Sequence, residues 1–462
     1  MNLSTWQSDF YRTDPSQIPA DAGLRRVEGP AQLELHFELP LITPYRNEWG
    51  RDVYGRDTPF DDRPAEIAAA STAGADVCLG PRGFLGVTGG GAHRLVHNGG
   101  GRLVLELGPG DTAYVDDEID GLRGWRSFHR VLGLADRPSM DDLPAAWSAV
   151  EYGTWVEQRA AAGVGGAGGN AAAQLSDDFV DRLLERIAAL DLPAGKFVID
   201  DGWTTPGRES LGDWRPDPWR FPDLSRTAER IAAAGHVPGL WLSPVQIDRR
   251  SGWARRHPEA LLPWQPPGED QIWGDALIAP GPAANRRYRE LARRVVDWGF
   301  RKIKADLYYG PRRLMLESLE AFARAVHEVD PQVEVEGHLP DPRLGPACGV
   351  VRTNDVLVNS RQDWPRLTRA HFAICAWSTP HKILNYDFIG GNDPQVTEAD
   401  FIEHGEIYRQ LATRGYACVG LLPDRFGPST RAWFADLIRH LHPSASSRSA
   451  AAPTLAIPGA ER

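Results

Sequence analysis

The chain lacks what a membrane span, a zinc knuckle or a disulfide framework requires. No run approaches the ~18 consecutive apolar residues of a spanning helix. The segment Met1 to Phe10 has neither a basic n-region nor an apolar h-region, so a cytoplasmic protein with no membrane partner is expected. Cys78, Cys348, Cys375 and Cys418 lie too far apart for a CxxC pair, which points to a reducing compartment with unpaired thiols. No HExxH pattern is present, and His338, His371 and His381 are scattered, so neither metal nor cofactor is expected. Basic residues are also in deficit, 51 against 62 acidic ones, for a formal charge of −11. Nucleic acid, which needs a basic face, is not an expected partner.

What is plentiful is tryptophan, with 16 in 462 residues. An indole is costly to bury without a partner for its N–H, and several sit beside polar loop residues. Core packing accounts for most of them, and sugar-stacking platforms would account for some. The apolar fraction of 42% and charged fraction of 24% are those of an ordinary globular protein. The length suits one barrel of about 250 residues plus a smaller domain.

Residues 1–145 carry many Gly, Pro and Asp breaks and no convincing long helix. Period-two alternation in Ala31 to Leu39 and again in Arg102 to Leu107 predicts a small antiparallel β-sandwich-like domain. From 146 to 442 the pattern becomes strand, loop, helix, repeated, which predicts an α/β fold, a (β/α)8 TIM barrel. Eight strands are expected, at 152–155, 196–200, 236–243, 300–306, 333–338, 350–356, 382–388 and 416–422. Residues 443–462 are Ser-, Ala- and Pro-rich and read as a flexible tail. The Gly/Ala tract from Ala160 to Ala173 is low in complexity and reads as a loose insertion or a mobile lid on the catalytic face.

Two strands end in aspartate: Lys302-Ile303-Lys304-Ala305-Asp306, and Val350-Val351-Arg352-Thr353-Asn354-Asp355. At the C-terminal ends of barrel strands they would aim two carboxylates into one pocket, and two carboxylates can cleave a glycosidic bond without metal or cofactor. Period two puts Lys304 and Asp306 on one strand face, where an ammonium would hold Asp306 ionised. A third strand ends in Asp200-Asp201-Gly202-Trp203. Adjacent acids repel, and hydrogen bonding to sugar hydroxyls is a reason for keeping both. Glu336-Gly337-His338 ends another strand, and Arg352 could hold a hydroxyl or Asp355 itself.

Ile199-Asp200-Asp201-Gly202-Trp203, Gly212-Asp213-Trp214, Arg220-Phe221-Pro222, Gly239-Leu240-Trp241, Ile303-Lys304-Ala305-Asp306 and Arg352-Thr353-Asn354-Asp355 occur in that order. Over residues 150–440 the chain resembles the retaining α-galactosidases of glycoside hydrolase clan D, family 36 above all, then family 27 and the raffinose synthases. The resemblance implies that Asp306 is the nucleophile and Asp355 the acid/base. It further implies that Asp200, Asp201, Trp203, Trp241, Lys304, Arg352, Glu336 and His338 surround the sugar. Lys304-Ala305-Asp306-Leu307-Tyr308-Tyr309 departs from the family's Lys-Trp-Asp-x-Asn-Arg, which marks a divergent member. An α-galactosidase-like hydrolase working by double displacement on an oligosaccharide or α-glycoside is expected. Another α-glycosidase, a transferase to a sugar acceptor and an inactive sugar-binding protein remain open, as does a homo-oligomer.

Overall fold

The computed structural model describes residues 5–42, 65–68, 76–89, 93–134, 143–163, 169–205, 210–264, 274–308, 310–353, 356–360 and 362–442. The expected tail at 443–462 lies outside them. Among the described residues, eight strands precede the barrel: β1 (Arg25–Glu28), β2 (Ala31–His36), β3 (Ala65–Ala68), β4 (Asp76–Leu79), β5 (Phe84–Thr88), β6 (Arg94–His97), β7 (Arg102–Leu107) and β8 (Thr112–Asp116). They form two antiparallel sheets, ordered β1-β8-β5-β4 and β2-β7-β6-β3. The two alternating segments picked out by sequence pair with each other, Ala31 opposite Leu107 and His36 opposite Arg102. Their inward residues Leu35, Leu103 and Leu105 meet Leu85, Val87 and Val115 of the other sheet in one core, the arrangement of a sandwich.

A helix at Gly121–Val131 corrects the expectation that this region has none of length. Its glycines hide it from propensity reasoning, yet packing requires them: a Cβ on Gly124 would stand 2.4 Å from Phe84 Cβ. Asp120 caps it, accepting from the Leu122 and Arg123 amides. Trp125 then stacks on Trp377 of the barrel helix Trp364–Ser378, with ring centroids 5.4 Å apart, so sandwich and barrel share an apolar contact.

The barrel is closed and parallel. Its strands are β9 (Glu151–Gly153), β10 (Lys196–Ile199), β11 (Val237–Leu242), then β15 (Lys302–Ala305), β16 (Glu334–Gly337), β17 (Val350–Arg352), β18 (Ile383–Phe388) and β19 (Gly415–Val419). Each overlaps one of the eight predicted segments, with β9 and β19 starting one residue earlier than expected. Between β11 and β15 an unforeseen three-stranded sheet is inserted, β12 (Gln246–Ile247), β13 (Leu261–Pro263) and β14 (Ala276–Ile278). Strands of two or three residues give too few alternations to be read from sequence. Gln246 ties this sheet to the barrel mouth by donating from Nε2 to the Leu307 carbonyl at 2.8 Å.

Alternation along the barrel strands divides apolar from charged residues. Phe197, Ile199, Ile303 and Val335 belong to the large apolar core shared with the surrounding helices. The alternate residues Lys196, Lys302, Glu334 and Glu336 are fully buried with Glu151 and Tyr416. Lys302 Nζ lies 2.7 Å from Glu334 and also contacts Glu151 and Glu336, while Lys196 pairs with Glu334 at 3.0 Å. Buried charges of this kind survive only when paired.

Candidate active site

The mouth of the barrel is built by residues that end or just follow β10, β11, β15, β16, β17 and β18. Asp306 comes immediately after β15, where Leu307 adopts φ +59. This left-handed residue, unusual for a leucine, turns the chain so that the Leu307 amide donates to Asp306 Oδ1 at 2.8 Å. Trp241 Nε1 donates to Asp306 Oδ2 at 3.1 Å. Arg352 Nη2 lies 3.4 Å from both carboxylate oxygens. Burial by itself would raise the pKa of Asp306, but the Arg352 charge, His338 with its Nδ1 3.6 Å from Oδ1, and the Lys304 charge outweigh it and hold the carboxyl well below its ordinary range. Asp306 is therefore an ionised carboxylate at neutral pH, and its side chain keeps 15% of its surface open.

Arg352 is itself held from three sides. Nη1 meets Asp387 at 3.3 Å, Nε lies 3.8 Å from Glu336, and Nη2 approaches His338 Nδ1 at 2.9 Å. The same Nδ1 also lies 3.6 Å from Asp306 Oδ1, so His338 sits between the guanidinium and the carboxylate. Glu336 is a further anchor: it accepts from Asn385 and Tyr416 at 2.8 Å. Although burial opposes its ionisation, Lys302 and Arg352 lower its pKa to about 2. Asp387, at φ +64, closes the ring; its amide donates to Asn385 Oδ1 at 2.8 Å.

Beside Asp306, Lys304 Nζ donates to Asp200 Oδ2 at 2.7 Å, and Asp200 Oδ1 accepts from the Asp201 amide at 2.9 Å. The Thr154 hydroxyl oxygen accepts from the Asp200 amide at 2.9 Å, fixing the backbone of the acid pair. Asp201 is partly open but hemmed in; burial first, then the charges of Asp200 and Asp306, push its pKa up to about 7. Asp201 thus titrates far above an ordinary carboxyl, while Asp200 accepts from the Lys304 ammonium.

Asp200, Asp201, Trp241, Lys304, Arg352 and His338 all adjoin this mouth, either around Asp306 or in the acid pair beside it. Trp203 and Glu336 stand behind it. Trp203 is fully buried, donates to the Trp241 carbonyl at 2.9 Å and stacks on Trp214 at 6.0 Å. Two other sequence motifs are scaffolding. Asp213 accepts from the Gly252 and Trp253 amides, and Arg220 donates to the Ala172 and Thr204 carbonyls while pairing with Asp217. Asp355 lies outside the described residues. Glu151, Glu334 and Glu336 have carboxylate oxygens within 4.8 Å of one another, the spacing of a metal cage, but Lys302 contacts all three and supplies the cation.

The Gly/Ala tract is only partly as expected. Residues 164–168 lie outside the description, but Ala171 is fully buried, and the Ala172 carbonyl receives Arg220. Small residues are needed here because the tract runs beneath the acid loop: a Cβ on Gly202 would lie 2.3 Å from the Ala172 oxygen.

Residues 172–269 match the Melibiase family model. The chain is 28% identical over 193 residues to alpha-galactosidase C of Emericella nidulans, a match covering 35% of this chain and 22% of that protein. It is 26% identical over 219 residues to an A type blood alpha-D-galactosamine galactosaminidase of Flavonifractor plautii, covering 44% and 18% respectively. The matches thus span about a fifth of the length of these relatives. Among solved structures, the Thermus thermophilus alpha-galactosidase TtGalA in complex with stachyose superimposes with a TM-score of 0.62 at 16% identity, covering 90% of this chain and 95% of the other. The GH36 alpha-galactosidase AgaA of Geobacillus stearothermophilus gives 0.57 at 13%, covering 90% and 64%. At these identities the superpositions establish the fold alone. The chain thus carries a segment that matches the Melibiase family model, is similar over part of its length to alpha-galactosidases, and shares the barrel fold of solved alpha-galactosidases.

Proposed function

We propose that this barrel is a retaining α-glycosidase that removes terminal α-linked galactosyl units, with Asp306 as nucleophile and Asp355 as acid/base. The observation that carries the reading is an ionised Asp306 at the barrel mouth, oriented by Trp241, the Leu307 amide and Arg352 beside a paired Asp200–Lys304. A nucleophile must be deprotonated and aimed, and these contacts supply both conditions. An Asp306 oxygen attacks the anomeric carbon while the bond to the aglycone oxygen breaks, and that oxygen takes the proton of Asp355. Water then attacks the same carbon, gives its proton to Asp355 and releases the carboxylate, so the α configuration is kept.

Asp200, Asp201 and Lys304 are the proposed grip on sugar hydroxyls, and Trp241 the adjoining wall. Trp203 and Glu336 act through their neighbours, Trp203 setting the position of Trp241 and Glu336 that of Arg352, while His338 adjoins both Arg352 and Asp306.

The test is turnover of p-nitrophenyl α-D-galactopyranoside with product anomers followed by NMR. The parent should release α-galactose, and Asp306→Asn should lose about 10⁴-fold or more in kcat. Undiminished turnover by that variant would reject the nucleophile. Asp355→Asn should retain the first step for substrates with good leaving groups, which need little protonation. Equal impairment on all leaving groups would reject the acid role.

A further inference from the structure

We propose that Trp219 is a stacking platform for a second sugar ring, one unit or more beyond the residue gripped at the acid pair. The inference rests on the glycosidase reading for its ligand class, a neutral oligosaccharide, and on four observations for its place. Trp219 is 91% exposed, and among the described residues it is the only exposed tryptophan. The apolar face of an indole costs free energy in water, so full display of the largest side chain on a catalytic-face loop points to a ligand with an apolar face of its own. The C–H face of a pyranose is such a surface.

Trp219 is also on the loop that begins with Asp200 and Asp201. That loop folds back on itself: the Asp217 amide donates to the Trp203 carbonyl at 3.0 Å, and the Thr205 amide to the Arg215 carbonyl at 3.1 Å. Trp203 is two positions on from Asp201, one hydrogen-bonded crossing leads to Asp217, and Trp219 is two positions beyond that. Even fully extended, this path is at most ~20 Å. A short oligosaccharide held at the acid pair reaches that far.

The backbone under the indole is fixed, which lowers the entropy lost on binding. Asp217 Oδ1 accepts from the Trp219 amide at 2.9 Å. Asp217 is in turn held by Arg220 Nε at 2.8 Å, whose guanidinium also donates to the Thr204 and Ala172 carbonyls. Arg220, next to Trp219 in the chain, thus ties the platform's backbone to the acid loop, and its charge reaches Asp201.

The experiment measures affinity for stachyose and for galactose by titration calorimetry on the full chain carrying Asp306→Asn, which removes turnover. Adding Trp219→Ala should weaken stachyose by about three- to tenfold, the scale of one aromatic stack, with a much smaller change for galactose. Trp219→Phe should recover most of the loss. An unchanged stachyose affinity, an equal loss for both sugars, or no stachyose binding by the host would overturn the proposal. So would a drop in sedimentation mass in Trp219→Ala with sugar affinities intact, which would make the indole a contact between copies. Failure of the catalytic reading shows itself separately, as a parent that binds stachyose through Trp219 yet does not turn over p-nitrophenyl α-D-galactopyranoside.

Discussion

Asp306 and Asp201 are carboxylates in one pocket whose surroundings push their pKa values in opposite directions. Arg352 and Lys304 overcome burial at Asp306, whereas burial, Asp200 and Asp306 combine to raise Asp201 to about 7. The signs of their linkage to folding differ accordingly. Asp201 has a folded pKa above its unfolded value of about 4, so its contribution to stability is complete below about pH 4 and is lost as pH rises through 7. Asp306 has a folded pKa below that value, so its contribution is present above about pH 4 and is lost on acidification. Melting temperatures from pH 4 to 8 should therefore fall more steeply for the parent than for Asp201→Asn. Parallel curves would show that Asp201 is ionised throughout. Removing the cation by Arg352→Gln should raise the pKa of Asp306 by at least about one unit, moving the acidic limb of kcat/KM upward. A limb that stays in place would assign the low pKa to the hydrogen bonds instead.

At the scale of elements, the loop after β10 shows how a motif can be scaffold at one residue and chemistry at the next. Asp200 and Asp201 face the pocket, Gly202 permits the close approach of Ala172, Trp203 backs Trp241, and Arg220 closes the loop. Gly202 has φ +119, a region an L residue enters only with strain, and its missing side chain is where the Ala172 carbonyl sits. Gly202→Ala should destabilise the protein by about 1–3 kcal/mol in a denaturant melt. A change within about 0.5 kcal/mol would mean that the tract from Ala171 to Leu175 moves aside freely. Sequence alternation located the eight strands, since their apolar faces pack on helices at a regular period. It did not locate the insert from β12 to β14, or the helix Gly121–Val131, whose glycines are chosen for contacts remote in sequence.

Over the whole molecule, the barrel interior is held by a charged layer instead of an apolar one. Lys302 lies between Glu151, Glu334 and Glu336, and Glu336 in turn contacts Arg352 beneath Asp306. Lys302→Met would leave three carboxylates short of a cation and should cost about 3–5 kcal/mol of unfolding free energy. A variant with an unchanged denaturation midpoint would show that those acids take up protons without penalty. Sequence alone determined the barrel, the strand ends that carry Asp200, Asp201, Asp306 and Arg352, and the inward direction of Lys304, because strand period and chain order are local properties. Only tertiary structure decided that Trp203 and Glu336 stand behind the pocket, that Asp387 and His338 converge on Arg352, and that Trp219 is displayed while its loop is pinned. Those outcomes depend on which residues from different strands share the space at the barrel mouth, and no one segment of the chain encodes that distance.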